Sequence, residues 1–196
     1  MPSGKAIERP MVVGIGFPRT GTVSLAYALR ELGYEAIHDY YTCRTWAESL
    51  LSGSVPAKMN AAHQNGGVAF LDGIWWKVAP LVRSRFPNAV LLHTTRDIES
   101  WAVSLQVLVA YLLAQGRPVD TQATIACWQD DFQHFNRLNR EFFRGDPLYH
   151  VLPVGRTTYR SLADAIGMSS APDKPWPKLH TTEWLWQQLS ERGKEA

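Results

Sequence analysis

Four short apolar runs, Met11–Phe17, Val68–Leu71, Ala89–Thr95 and Tyr149–Val154, set the strongest limit on the architecture of this chain. Each is close to continuously apolar rather than alternating, the pattern of strands covered on both faces, as in parallel sheets. Glu35–His38 is a fifth, weaker run. The stretches between them carry helical spacing. Leu25, Ala28, Leu29 and Leu32 recur at i, i+3, i+4 and i+7, with Gly33 as a stop. Trp101, Leu105, Leu108 and Leu112 form a second stripe, behind Asp97 as a cap. Ile125, Trp128, Phe132, Phe135 and Phe142 form a third, on a helix of about six turns. Tyr159, Leu162 and Ile166 form a fourth, ending at Gly167. A loop with three prolines spans Met168–Lys178, and Thr182–Glu191 reads as a closing helix. Strands alternating with helices predict an α/β fold, a three-layer sandwich around a mostly parallel sheet of about five strands.

At 196 residues there is room for one ordinary domain, and with no internal repeat or linker we expect residues 1–196 to form it. An apolar share of 45% excludes a disordered chain. Twenty Lys+Arg against eighteen Asp+Glu leave a net charge of +2, far short of the surplus that nucleic acid demands. No nucleic-acid partner is expected, but one local anion site is affordable. Cys43 and Cys127 form neither a disulfide framework nor a metal-type spacing, and no metal site is expected. The longest uncharged stretch, Ser100–Gly116, is interrupted by Ser and Gln and is shorter than the ~20 apolar residues of a membrane span. Met1–Pro10 lacks the apolar centre of a secretory signal. We therefore expect a cytoplasmic protein with no membrane partner.

In an open parallel sheet, ligands sit beyond the carboxyl ends of the strands. The first such end reads Gly14-Ile15-Gly16-Phe17-Pro18-Arg19-Thr20-Gly21-Thr22-Val23-Ser24-Leu25. A strand enters a loop, and a helix opens at Thr22. The free N–H groups of that first turn, with the hydroxyls of Thr20, Thr22 and Ser24, make an anion cradle. Arg19 adds a permanent charge whose forked donors suit phosphate or sulfate. The plainer reading is a capped turn in which Arg19 meets a surface carboxylate. Two familiar phosphate loops are near misses. Gly14-x-Gly16 has Arg19 where GxGxxG needs its third glycine, and the Gly16…Gly21 spacing of a nucleotide-kinase loop has Thr22 where lysine belongs. Val68-Ala69-Phe70-Leu71-Asp72 does look like the strand and aspartate that hold Mg²⁺ in such enzymes.

Pro18-Arg19-Thr20-Gly21-Thr22 matches in full the Pro-(Lys/Arg)-(Ser/Thr)-Gly-Thr loop of the sulfotransferases, and the chain resembles that family. Arg19 in place of lysine, with Ser24-Leu25, Ala28-Leu29 and Leu32-Gly33, is similar to a microbial branch reading RTGT-x-SL…AL…LG. The resemblance implies a P-loop-kinase-like sandwich and the donor 3′-phosphoadenosine 5′-phosphosulfate (PAPS). It implies that Pro18, Arg19, Thr20, Gly21, Thr22, Val23 and Ser24 bind the 5′-phosphosulfate. Arg96, with Ser104 eight residues on, resembles the family's 3′-phosphate pair, and Arg96-Asp97-Ile98-Glu99-Ser100-Trp101 is similar to its RDPxxW. On residues alone, Arg96 also reads as a surface arginine beside a capping Asp97. Gly155–Leu162 and Pro172–Pro177 resemble the microbial branch's last strand exit and its PxxPFP loop, and the resemblance implies that Arg156 completes the 3′-phosphate site. His180 stands where that branch often has asparagine.

Sulfuryl transfer is an in-line displacement, and preorganised donors stabilise the charge gathering on the leaving phosphate. Arg19 is thereby a catalytic as well as a binding residue. A base must take the acceptor's proton. Asp72 and His38 are the leading candidates and Asp39 is a third. Each also has a structural reading: Asp72 as a helix cap, His38 as a packed strand-end residue, Asp39 as a turn former. Tyr40, Tyr41, Trp75 and Trp76 follow the same strand ends and are expected either to wall a pocket for a small-molecule acceptor or to lie in the core. His93 is expected to be structural, and the stripe from Trp128 to Phe142 to be core or the face of a homodimer. The leading function is a PAPS-dependent sulfotransferase acting on a hydroxyl or amine. The alternatives are a nucleotide kinase or NTPase on the same kind of sheet, and a non-catalytic relative that binds an anion or partner.

Overall fold

The structure, a computed structural model, describes residues 9–117 and 121–192. The apolar runs form five strands: β1 (Val12–Gly14), β2 (Glu35–His38), β3 (Val68–Leu71), β4 (Val90–Thr95) and β5 (Tyr149–Pro153). They pair all-parallel in the order β2-β3-β1-β4-β5, with Val12 of β1 in register with Ala69 on one side and Val90 on the other. Eight helices accompany them among the described residues: α1 (Thr22–Glu31), α2 (Tyr40–Leu51), α3 (Ala57–Asn65), α4 (Trp75–Arg85), α5 (Ile98–Ala114), α6 (Thr121–Phe142), α7 (Tyr159–Ala165) and α8 (Thr182–Arg192).

Alternation along β1 divides the core into two layers. Val12 joins Leu25 and Leu29 of α1 and Leu162 of α7 beneath one face. Val13 joins Ala47 of α2, Met59 of α3, and Trp75 and Val78 of α4 beneath the other. A third cluster closes the carboxyl end of the sheet. There Trp101 of α5 is wholly buried, stacked on Phe132 of α6 at 4.2 Å and edge-on to Phe17. The crossover from β1 therefore leaves on the opposite face from the one that leaves β3, which opens a crevice at the end of β1.

Two expectations change. The run Met11–Phe17 is not all strand: pairing to β4 persists through Ile15, whose N–H donates to Leu92, and then the Thr20 N–H closes a turn onto Phe17. Helices α2, α3 and α4 are absent from the sequence reading. The buried face of α2 is only Cys43, Ala47 and Leu50, α3 buries only Met59 and Ala62, and α4 carries Pro80 inside it. Their apolar stripes are short or interrupted, so periodicity is weak where burial is nonetheless complete. The other elements lie where expected, although the side chain of Ile125 and residues 1–8 fall outside the described residues. Among the described residues no helix is long and apolar enough to cross a membrane.

Candidate active site

The loop between β1 and α1 is built around close backbone approaches. A Cβ on Gly16 would stand 1.8 Å from Thr94 Oγ1, so only glycine lets β1 pass β4 here. Thr20, fully buried, bonds through Oγ1 to the Phe17 carbonyl at 2.5 Å and to Thr94 Oγ1 at 2.7 Å. Pro18 is held through its carbonyl by Trp101 Nε1 at 2.8 Å. Arg19 then takes a left-handed φ of 68°, uncommon for a side chain with a Cβ and concentrated at functional sites. The N-cap of α1 is Gly21, at φ 87°, with no capping side chain and no acid in the first turn. By contrast α2, α5 and α7 are capped by Asp39, Asp97 and Thr158. The first-turn N–H groups of α1, like those of α3 and α4, have no side-chain cap, and those of α1 carry their partial positive charge to the cavity edge at Gly21 and Thr22.

Arg19 and Arg96 converge there. Arg19 Nε donates to Ser104 Oγ at 2.9 Å, and Arg96 Nη1 approaches the Arg19 carbonyl at 3.4 Å. Arg96 Nε donates to Ser100 Oγ at 2.9 Å, on the turn that Asp97 caps. Burial, and then repulsion from Arg96, pull the Arg19 guanidinium down to about 10, which still leaves it protonated at neutral pH. Among the described residues neither arginine forms a salt bridge, so Arg19 does not meet a surface carboxylate. The segment 176–183 crosses the same groups: Arg19 Nη2 donates to the His180 carbonyl at 3.1 Å, the Leu179 N–H to Ser24 Oγ at 3.1 Å, and Thr182 Oγ1 to the buried Ser104 Oγ at 3.0 Å.

A cavity of about 260 Å³ lies over these groups. The loop residues Arg19–Ser24 line it together with Arg96, Lys178 and Glu183, and Leu152, Val154 and Trp176 form its apolar side. Arg156 is exposed, between the lining residues Gly155 and Thr157. Pro18 lines a second cavity instead, of about 280 Å³, so the Pro18–Arg19 step separates the two.

His38 and Asp72 meet at the ends of β2 and β3. His38 Nε2 is hydrogen-bonded to Thr22 Oγ1 at 3.1 Å, and Nδ1 lies 3.7 Å from Asp72 Oδ2. Burial raises the Asp72 carboxyl and lowers the His38 imidazole, while each charge opposes the other's shift. Asp72 is held at a φ of 74° and does not cap α4, whose N-cap is Ile74. Neither residue lines a cavity itself, but Thr22, bonded to His38, lines the first and Gly73, next to Asp72, lines the second. Asp39 has the structural role: it caps α2, accepting from the Thr42 N–H at 2.8 Å.

The aromatic residues divide. Tyr40 and Trp76 line the second cavity, Trp75 is wholly buried in the core and Tyr41 is exposed. Trp128 lines the cavity too, Phe132 is core, and Phe142 is exposed. Arg44, Glu48, Lys77 and Asp131 also line it, and none is singled out by the sequence. They come from α2, α4 and α6, and only tertiary packing gathers them.

A family model described as "Sulfotransferase domain" matches residues 11–174. A sulfotransferase crystal structure from Alicyclobacillus acidocaldarius matches with a TM-score of 0.53 at 13% identity, over 94% of this chain and 91% of that one. Sulfotransferase STF9 from Mycobacterium avium matches with a TM-score of 0.50 at 13% identity, over 95% of this chain and 69% of that one. Among curated proteins there is no significant match. Both structural likenesses concern the fold, which is the P-loop-kinase-like sandwich.

Proposed function

The chain belongs to the sulfotransferase domain family, and from that membership we propose that it transfers a sulfuryl group from PAPS to a hydroxyl or amine of a small acceptor. The supporting observation is the meeting of two guanidinium groups, Arg19 and Arg96, neither in a salt bridge among the described residues although Asp97 and Glu183 lie within electrostatic reach of Arg96, at a helix N-terminus without a side-chain cap. Like charges so placed repel, and a multiply charged anion relieves them. The cavity lining supports such a ligand at the loop end and at Arg96, while Ser104 lies buried beneath it on Arg19 and Thr182 and Arg156 stands outside the lining. Arg19, Thr20, Gly21, Thr22, Val23 and Ser24 would hold the 5′-phosphosulfate, with Pro18 fixing the turn. Arg96 and Ser104 would hold the 3′-phosphate, with Arg156 reaching in from the loop after β5.

The bound donor supplies a sulfuryl group on a stable phosphate leaving group. Asp72 takes the acceptor's proton, and His38 holds Asp72 toward Thr22. The acceptor oxygen or nitrogen bonds to sulfur as the sulfur–oxygen bond to the 5′-phosphate breaks, and the electron pair leaves on that phosphate oxygen. Arg19 and the first N–H groups of α1 stabilise the charge that gathers there. The products are the sulfated acceptor and adenosine 3′,5′-bisphosphate.

Thermal unfolding with that bisphosphate, without metal, tests the reading. A ligand at a hundred times its Kd stabilises the folded state by about 2.7 kcal/mol, so Tm should rise by several degrees, and Arg96→Ala should erase most of the rise. Stabilisation by ATP with Mg²⁺ and none by the bisphosphate would overturn the proposal in favour of a nucleotide kinase.

A further inference from the structure

We propose that the second cavity takes a neutral, polyhydroxylated ring, a glycoside or cyclic polyol, as the acceptor of the sulfuryl group; this rests on the transfer reading above. Its position follows from the loop. Phe17 and Pro18 form its wall on one side of the Pro18–Arg19 step and the donor groups stand on the other, while Gly73 places the Asp72 turn at its edge. At about 280 Å³ it lies near the small end of ligand pockets, which run to roughly 300–1,000 Å³, so one ring rather than a fused polycycle is the natural occupant.

Its chemistry narrows the class further. The charged groups form two neutral pairs, Arg44 Nε with Glu48 Oε1 at 2.7 Å and Lys77 Nζ with Asp131 Oδ2 at 3.5 Å. An anionic acceptor would meet Glu48 and Asp131, and a cationic one Arg44 and Lys77. A wholly apolar acceptor would strip water from both pairs and return no hydrogen bond. Adjacent hydroxyls suit such pairs, because each hydroxyl both donates and accepts. The remaining wall is aromatic. Trp76 is fixed by stacking on Phe17 at 3.9 Å and carries Lys77 Nζ 4.8 Å from its ring centre, and half-buried Trp128 stands on α6 beside it. Trp76 is buried with its ring engaged by Phe17 and Lys77, so the free aromatic surface is that of Trp128; a pyranose ring has one C–H face for it and an edge of hydroxyls for the ion pairs. In the step itself one ring hydroxyl loses its proton to Asp72, its oxygen bonds to sulfur, and the bond from sulfur to the 5′-phosphate oxygen breaks.

The experiment uses the full chain with ³⁵S-labelled PAPS and four probes: methyl β-glucopyranoside, myo-inositol, 4-nitrophenol and tyramine. Label is expected on the glycoside or the inositol. Trp128→Ala and Asp131→Asn should each raise the KM for that acceptor by roughly 3–10-fold, the loss of one ring or hydrogen-bond contact, and leave the bisphosphate-induced Tm rise unchanged. Label only on 4-nitrophenol or tyramine, label on none of the four, or a KM indifferent to both substitutions would overturn the acceptor assignment while the bisphosphate rise stands. Absence of that rise in the unaltered chain would instead bring down the transfer reading and this one with it.

Discussion

Asp72 and His38 are two titratable groups whose surroundings oppose their charges. Burial is the larger influence on each: it raises the carboxyl of Asp72 from its ordinary value and lowers the imidazole of His38. A base works only when deprotonated, so kcat/KM falls as pH drops through the raised Asp72 value, and the acid limb lies above the ~3.9 of a free aspartate. In Asp72→Asn that limb should vanish and kcat should drop by roughly 10²–10⁴. His38→Gln should keep the limb and move it upward, because the imidazolium otherwise favours the carboxylate. A pH–rate profile of the three proteins decides the assignment: an unchanged acid limb in Asp72→Asn would remove Asp72 from the base role. Arg19 acts at the same scale but independently of pH near neutrality. Arg19→Ala should cost roughly 10²–10³ in kcat, the usual loss for one preorganised donor at a developing anion, measured under saturating donor.

Among elements, α5 shows how a structural cap serves a binding group. Asp97 caps the helix and orders Ser100, and Ser100 Oγ accepts from Arg96 Nε. Asp97→Ala should therefore cost about 1 kcal/mol of stability in urea and weaken the bisphosphate as well. A stability loss with no change in bisphosphate affinity would disconnect the cap from Arg96. The strands and the Pro18–Thr22 loop were legible in the sequence because each is contiguous: a buried strand is a run, and the loop is five consecutive residues. The offset from Arg96 to Ser104 does not translate into a contact between them: Arg96, just ahead of α5, bonds Ser100, whereas buried Ser104 accepts from Arg19 and Thr182. The second cavity was legible only in part: Tyr40 and Trp76 follow strand ends, whereas Arg44, Glu48, Lys77 and Asp131 read locally as solvated charges on three separate helices. Trp75 and Trp76, neighbours in sequence, part company because adjacent helical positions face about 100° apart.

At the scale of the whole molecule, His93 ties the sheet to α6. It sits on β4, 1% exposed, with Nδ1 accepting from the Tyr149 hydroxyl of β5 at 2.6 Å and Nε2 donating to Asn136 Oδ1 of α6 at 2.6 Å. That arrangement needs the neutral ring. Burial is the main cause that pushes its pKa down from the ordinary 6.5 to about 4. The unfolded chain therefore binds a proton that the folded chain refuses throughout this window. The contribution of His93 to stability is complete above pH 6.5 and is lost progressively as pH falls toward 4. Each pH unit of the window is worth about 1.4 kcal/mol, so the loss across it is ~3 kcal/mol, a large share of the 5–15 kcal/mol typical of a folded domain. In urea titrations from pH 7 to 4, the unaltered chain should lose stability steeply. His93→Phe should be less stable at pH 7, having lost both bonds, yet show a flatter slope below pH 6.5. Equal slopes in the two proteins would mean that other groups carry the acid lability of the fold.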